Sequence, residues 1–592
     1  MPARPLSENP SFENLKKQSK RLHKAVRAGD AASVAQVREF HPRAAAALAG
    51  FSLADAQLVT ARGYGFPSWP RLKKHLEVVE RFVWDPPPEA PAVAGTEPLS
   101  HTFIRWACLT YGNWHPSQVE KARRLLSEHP ELSQADIFAA ATAGDLAAAR
   151  AMLAQDPSLA SAKGGPLGWE PLLHACYSRF DGADAQHSTL EVARLLIRAG
   201  ADPNAGFLWR GNVPPFTALT GAFGEGEDGT NQPPHRDRDA LARLLLEAGA
   251  DPNDEQTLYN RHFRPDDGHL KLLLAFGLGQ DKGGPWFRRL GDRLHTPARM
   301  LVEELWAAAR KGFFDRVKLL VAHGTDVNTP GVRDGRTPYE AALMTGNREI
   351  AQYLLAHGAK RVALPPEEAF AAAALAGRGD EARSVLAAHP RLLETLGPDG
   401  RIELVHRAVE GDRRDGVRLL AELGVGLSGT TVHQGVGMYR AVTPMHNAAW
   451  AGNVEMVRLL VELGADPSAR DATYQATPLG WALHNRQRAV VDCLLPFATI
   501  VEAVRAGGVE RIAELLEKDP MLAHATDGEG TPVLFHVDAD GPRAEEVLDL
   551  LLAHGAKLDA RNGQGRTVLE EMQRRGRDET VRALRQRGAP TS

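Results

Sequence analysis

One short string, repeated along the chain, constrains the fold more than any other feature. RLLIRAGADPNA (194–205), LLLEAGADPND (244–254), LLVAHGTDVNT (319–329) and LLVELGADPSA (459–469) are close copies, while LLAHGAKRV (354–362) and LLAHGAKLDA (551–560) are weaker ones. A second string, Thr-Pro before apolar and small residues, recurs at Thr337-Pro338, Thr443-Pro444, Thr477-Pro478 and Thr531-Pro532, with 34 residues between Thr443 and Thr477. Thr is a good N-cap and Pro fits a first helical turn, so this string starts a helix. The Leu pair closes a second amphipathic helix, and the Gly after it supplies the left-handed residue that ends it. A chain that starts and stops helices at a fixed period buries each pair against its neighbours. It folds as a repeat array.

Composition agrees and removes several function classes. At 592 residues the chain exceeds one ordinary core. Apolar residues at 43% and charged residues at 24% give the balance of a folded chain. A formal charge of −4 provides no polybasic field for nucleic acid or anionic lipid. Cys108, Cys176 and Cys493 lie far apart, which argues against a disulfide framework or a cysteine-based zinc site. The opening MPARPLSENPSFENLKKQ has no apolar signal region, and no stretch of 18 uncharged apolar residues occurs. The expectation is a reduced, cytoplasmic, monomeric protein with no membrane segment. Arginine outnumbers lysine 55 to 15, the bias of a GC-rich bacterial coding sequence.

The fullest copy, TPMHNAAWAGNVEMVRLLVELGADPSARD at 443–471, resembles the ankyrin repeat, a unit of about 33 residues with a T-P-L-H-x-A signature. Several units depart from it, ending in HPEL (129–132), DPSL (156–159), HPRL (389–392) or DPML (519–522). The resemblance implies an all-α ankyrin-repeat solenoid over 101–592, with about 14 helix-turn-helix units and hairpin fingers. Residues 1–83 read as an N-terminal helical leader module, similar to one found before such repeats in bacterial proteins. Residues 84–100, WDPPPEAPAVAGTEPLS, read as a Pro/Ala-rich linker. The leader is therefore expected to be a separate helical body.

No catalytic, cofactor-binding or metal-ligating set stands out. Two GxGxxG matches, at 224–229 and 424–429, lack the strand-to-helix setting that phosphate binding needs. Gly424 follows a helix as its terminator, and the first match holds three acidic residues that would repel a pyrophosphate. His262, Asp266, Asp267 and His269 lie close together, but Asp266-Asp267-Gly268 also reads as a helix start. His174 and His446 occupy the His of the T-P-L-H pattern, a structural position in the family. The expectations are therefore no cofactor, no metal and no enzymatic activity.

The departures from the repeat carry the functional reading. Residues 178–188 and 223–238 lengthen the link between the two helices of a unit, and TYGNWHPSQ at 110–118 is a further extra segment. Fingers at 163–170, 205–216 and 429–442 are long or aromatic-rich. By the resemblance, finger tips and the two residues after the Ala-Ala pair line a concave groove. Those positions include Trp169, Tyr177, Trp209, Arg210, Met344, Tyr439, Trp450 and Tyr474, with the aromatic and Arg chemistry of binding hot spots. The expected function is a non-catalytic scaffold that binds a protein partner through groove and fingers. Two alternatives are an enzyme or small-molecule site near the insertions at 178–188 and 223–238, and a nucleic-acid scaffold. The latter would use the basic leader helix with Lys16, Lys17, Lys20, Arg21, Lys24 and Arg27.

Overall fold

Thr-Pro starts an α-helix at three of its four expected sites, while at Thr531-Pro532 only the short 3-10 turn Val533–His536 follows. In the computed structural model Thr337, Thr443 and Thr477 cap Pro338–Met344, Pro444–Trp450 and Pro478–His484. Thr337 Oγ1 accepts from the Glu340 N–H while the Glu340 carboxylate accepts from the Thr337 N–H, a reciprocal cap. Thr499 with Glu502 and Thr567 with Glu570 repeat the device without a proline. Each such helix is followed by a second: Arg348–Ala356, Val454–Glu462, Arg488–Leu494, Val509–Lys518 and Asp578–Gln586. Gly464, at φ 85°, ends Val454–Glu462, with the Ala465 N–H donating back to Leu460 O at 2.8 Å.

The structure describes residues 6, 11–86, 97–112, 114–180, 187–430, 442–537 and 543–590. It divides into two units, 1–304 and 305–592. Both are largely helical.

In the second unit one apolar cluster runs from Phe370 to Ala589, fed by the inner faces of successive helix pairs. Val454–Glu462 contributes Met456, Val457, Leu459 and Leu460, the i, i+1, i+3, i+4 stripe of an amphipathic helix. Neighbouring pairs are also stitched by polar bonds. Thr477 Oγ1 donates to Glu502 Oε1 at 2.6 Å, and Asn485 Nδ2 donates to Trp450 O at 2.6 Å. His446 contacts Thr443 through Nδ1 and Ala476 O through Nε2 at 3.0 Å, so it ties one helix start to the next finger. This is helix-pair stacking of the solenoid kind.

In the first unit the leader forms α1 (Phe12–Arg27), α2 (Ala31–Phe40), α3 (Ala44–Ala49), α4 (Leu53–Gly63) and α5 (Trp69–Phe82). Two small cores hold it, one around Val37, Ala56 and Val59, the other around Leu15, Phe66 and Leu72. The leader is not a detached body within this unit. Val79 of α5 packs with Leu208, Trp286, Leu290 and Leu294. Strand β1 (Val83–Trp84) pairs parallel to β2 (Gly206–Trp209), which pairs antiparallel to β3 (Phe216–Thr217). Trp84 Nε1 donates to Leu167 O at 2.8 Å, and the Arg210 N–H donates to Trp84 O at 2.8 Å. A Pro-rich sequence hides this, because two residues of strand leave almost no periodic signal. Most of the expected linker lies outside the described residues.

Candidate partner-binding surface

The long finger at 205–216 turns inward as well as outward. Trp169, Phe207 and Phe216 form a stack, with Trp169–Phe207 centroids 4.9 Å apart and Trp84 tilted against both Trp169 and Phe207. Tyr177 joins them and donates from its hydroxyl to Thr217 O at 2.9 Å. Trp169 and Tyr177 are thereby buried, at 2% and 0% exposure. This corrects the expectation that placed them on an accessible groove. Their rings close the first unit's core around the leader strand, and a partner has no access to them. Trp209 is half-buried, with Nε1 donating to Thr110 O at 3.3 Å, and Arg210 lies over its ring at 4.6 Å.

The insertions pack on each other through a buried cation. Arg179 donates to the carbonyls of Pro233, Gly221, Cys176 and Ser178. Burial lowers its guanidinium to about 10, which leaves it charged at neutral pH. Gly224, at φ 58°, has room for no Cβ, since one would meet Pro233 O at 2.6 Å. Its glycine serves this turn. His235 meets Thr189 Oγ1 at 2.8 Å, and burial holds it neutral at about 3. Asp254 is raised to about 6 by burial, while its carboxylate accepts from the Thr257 N–H and the Thr217 hydroxyl as the cap of Glu255–Arg261. Cys108 is buried, which pushes its thiol up to about 12. These perturbed groups are each engaged in packing or capping.

Asp266 pairs with Arg238 at 2.8 Å and with Arg261. Burial opposes ionisation there, but the Gly268 N–H and the two guanidiniums hold the carboxyl at about 2. Among the described residues, no group of three or more His, Cys, Asp or Glu is placed to hold a metal ion. Among the described residues, no helix is long and apolar enough to cross a membrane.

In the second unit a regular row of positions emerges. A residue in the left-handed region follows each first helix, among them Gly346, Asp412, Gly452, Arg486, Gly507 and Gly576. Two residues before each stand Met344, Glu410, Trp450, His484, Arg505 and Arg574. Four residues before, the side chains of Ala342, Ala408, Ala448, Ala482, Ala503 and Met572 are all buried. The row continues between neighbouring units: Trp450 and His484 stack at 5.8 Å, and Arg505 Nε donates to His536 Nδ1 at 3.2 Å. His536 Nε2 lies 3.0 Å from Asp527, which Arg505 approaches to 3.7 Å. Burial, with Arg505 beside it, keeps the His536 imidazole neutral at about 4.

Of the expected contact residues here, Met344 packs partly on the core and Trp450 lies half-exposed against Trp481. Tyr474 is 63% exposed at the tip of a finger that Asp471 fixes. The Asp471 carboxylate accepts from the N–H groups of Thr473, Tyr474 and Ala476 and from Trp481 Nε1. Tyr439 lies outside the described residues. Sequence reasoning misses His484, Arg505 and Arg574 because the Gly452-Asn453 pair that follows Trp450 is replaced after them by Arg486-Gln487, Gly507-Gly508 and Gly576-Arg577, and the proline of Thr-Pro is lost before the last two. The signal that finds them is the left-handed residue two positions on, which at 486 is an arginine.

Residues 303–363 and 405–502 match the family model described as ankyrin repeats (3 copies), so an ankyrin-repeat domain is present. The chain is 27% identical over 220 residues to the B-cell lymphoma 3 protein homolog of Mus musculus, covering 34% of this chain and 48% of that protein. It therefore spans about half of that relative's length. Among solved structures it is similar to the human ASB11 ankyrin repeat domain, at 24% identity and TM-score 0.25, covering 39% of this chain and all of that one. A second likeness is to the predatory endopeptidase Bd0816 from Bdellovibrio bacteriovorus in complex with immunity protein Bd3460. There the identity is 22% and the TM-score 0.24, covering 31% of this chain and 96% of that chain.

Proposed function

We propose that this chain is a non-catalytic scaffold that binds a protein partner through the row of inner-helix positions and finger tips of its ankyrin repeats. One observation carries the reading. In the second unit the position four before the left-handed residue that follows each first helix is small or apolar and buried, whereas the position two before it changes among Arg310, Met344, Leu375, Glu410, Trp450, His484, Arg505 and Arg574 and is buried only at Leu375. Stacking dictates the first position and leaves the second to recognition. The domain limits 1–83, 84–100 and 101–592 belong to the same proposal, with the leader serving as a cap for the repeats of the first unit.

A photo-reactive benzoylphenylalanine placed at position 450 of the full chain tests it, with position 458 on the outer helix as control. The expected result is a discrete protein adduct from 450 and none from 458. Adducts from 458 alone, or from neither, would contradict the reading.

A further inference from the structure

Charge is unevenly spread along the chain. The whole carries −4, yet residues 1–83 hold 14 Lys and Arg against 7 Asp and Glu. Helix α1 concentrates the excess. Around its axis Leu15, Ser19, Leu22 and Val26 are buried, while Lys17, Lys20, Arg21, Lys24 and Arg27 lie exposed on the opposite side. From Lys17 to Arg27 the stripe runs about 15 Å. Among the described residues none of these five enters an ion pair. Most of the leader's carboxylates are engaged elsewhere: Glu13 holds Lys16, Asp30 caps α2 through the Ser33 N–H, Asp55 binds Ser52 and His41, and Glu77 pairs with Lys73. Glu39 and Glu80 are exposed, and Glu8 lies outside the described residues together with Arg4. Beside the stripe a cleft of about 400 Å³ opens between α1, α2 and α4, within the size range of small-ligand sites. Gln18, Arg21, Ser33, Gln36, Gly63 and Tyr64 line it, so Arg21 belongs to both cleft and stripe. The Tyr64 hydroxyl donates to Gln18 Oε1 at 2.9 Å, which leaves both Gln18 Nε2 hydrogens to donate. Gly63 has no side chain to fill the space, and a Cβ there would meet only Gln36 Nε2, at 3.8 Å.

We propose that this face of the leader binds single-stranded nucleic acid, with phosphates along Lys17, Arg21 and Lys24 and one unpaired base seated in the cleft between α1, α2 and α4. A duplex keeps its bases stacked and paired, whereas a single strand can splay one out. The amides and hydroxyls around the cleft supply donors and acceptors for a base edge. The planar Arg21 guanidinium suits both a phosphate and the face of a base. An anionic membrane fits less well, because α1 keeps its apolar face inside the leader and has nothing to insert. An acidic peptide would satisfy the stripe but leave the cleft without a ligand. The site lies on first-unit residues and is independent of the protein-binding row of the second unit.

Fluorescence anisotropy on the full-length protein tests the proposal, with labelled oligo-dA of about 12 nucleotides and its RNA counterpart; the tighter of the two names the source. Affinity should fall with salt at a log–log slope of about −2, near 0.7 for each phosphate contact. Lys17→Ala/Lys24→Ala should flatten that slope by about 1.4. An abasic strand of equal length, which keeps the phosphates, should bind about tenfold more weakly. Gly63→Leu, which fills the cleft, should bring the intact strand down to that level with the melting curve unchanged. If leucine shifts the curve, Gly63→Ala serves as a second variant with a smaller loss. No binding at roughly 50 mM salt, equal affinity for intact and abasic strands, or indifference to Lys17→Ala/Lys24→Ala would overturn the proposal. So would polyglutamate or phosphatidylserine vesicles bound as tightly as the oligonucleotide.

Discussion

Glu571 shows how one buried carboxylate organises several surface residues. The Arg574 guanidinium, joined by Arg575 and Arg566 and opposed by burial, holds its carboxyl at about 2 instead of the ordinary 4.5. The folded value lies below the unfolded one, so the stabilisation is whole above about pH 4.5 and is lost as pH falls toward 2. Glu571→Gln is expected to cost about 2–3 kcal/mol at neutral pH. Denaturant melts across pH check it: the gap between variant and wild type should close on acidification, and a constant gap would refute the charge argument. Trp169 and Tyr177 behave differently from Trp450. Truncating either buried ring to Ala should cost about 3–5 kcal/mol of stability. Trp450→Ala should leave thermal unfolding nearly unchanged, because its ring faces Trp481 and His484 and stays partly open.

At the scale of elements the contact between leader and finger is the main finding. Val79 and Phe82 of α5, together with Trp84 of β1, cover the helix Pro285–Leu290 and the edge of β2. Arg289 lies over both the Phe82 and Trp286 rings, at 4.9 and 4.7 Å. A separate leader body, as the sequence suggests, could be truncated without harm. The packing predicts the opposite, since removal of 1–86 exposes Leu208, Trp286 and the Trp169 stack. Trp84→Ala should by itself lower the stability of the first unit by about 2–4 kcal/mol. Calorimetry of the full chain would show the loss as a shift of one part of the unfolding profile, and an unshifted profile would contradict it. The helix pairs were legible because caps and Leu pairs are local and periodic, as at 443–464. The leader contact was not, because it joins residues 83–84 to 206–209 and depends on tertiary pairing. Burial of Trp169 and Tyr177 was illegible for the same reason: a groove position and a core position share one aromatic composition.

At the scale of the molecule, stability in such stacks is approximately a sum of neighbour terms, so side chains outside the stacking positions are released for recognition. That division of labour is the central claim, and it separates Trp450, His484 and Arg505 from the core beside them. The most direct test is an affinity series on the full chain against its crosslinked partner, with melting temperature measured for every variant. Trp450→Ala, His484→Ala and Arg505→Ala are set against the outer-helix controls Arg458→Ala and Arg488→Ala. The account predicts that at least one inner-row variant loses about 2 kcal/mol of binding while all five melt like wild type. Equal losses from inner and outer positions, or binding losses that track melting temperature, would contradict it.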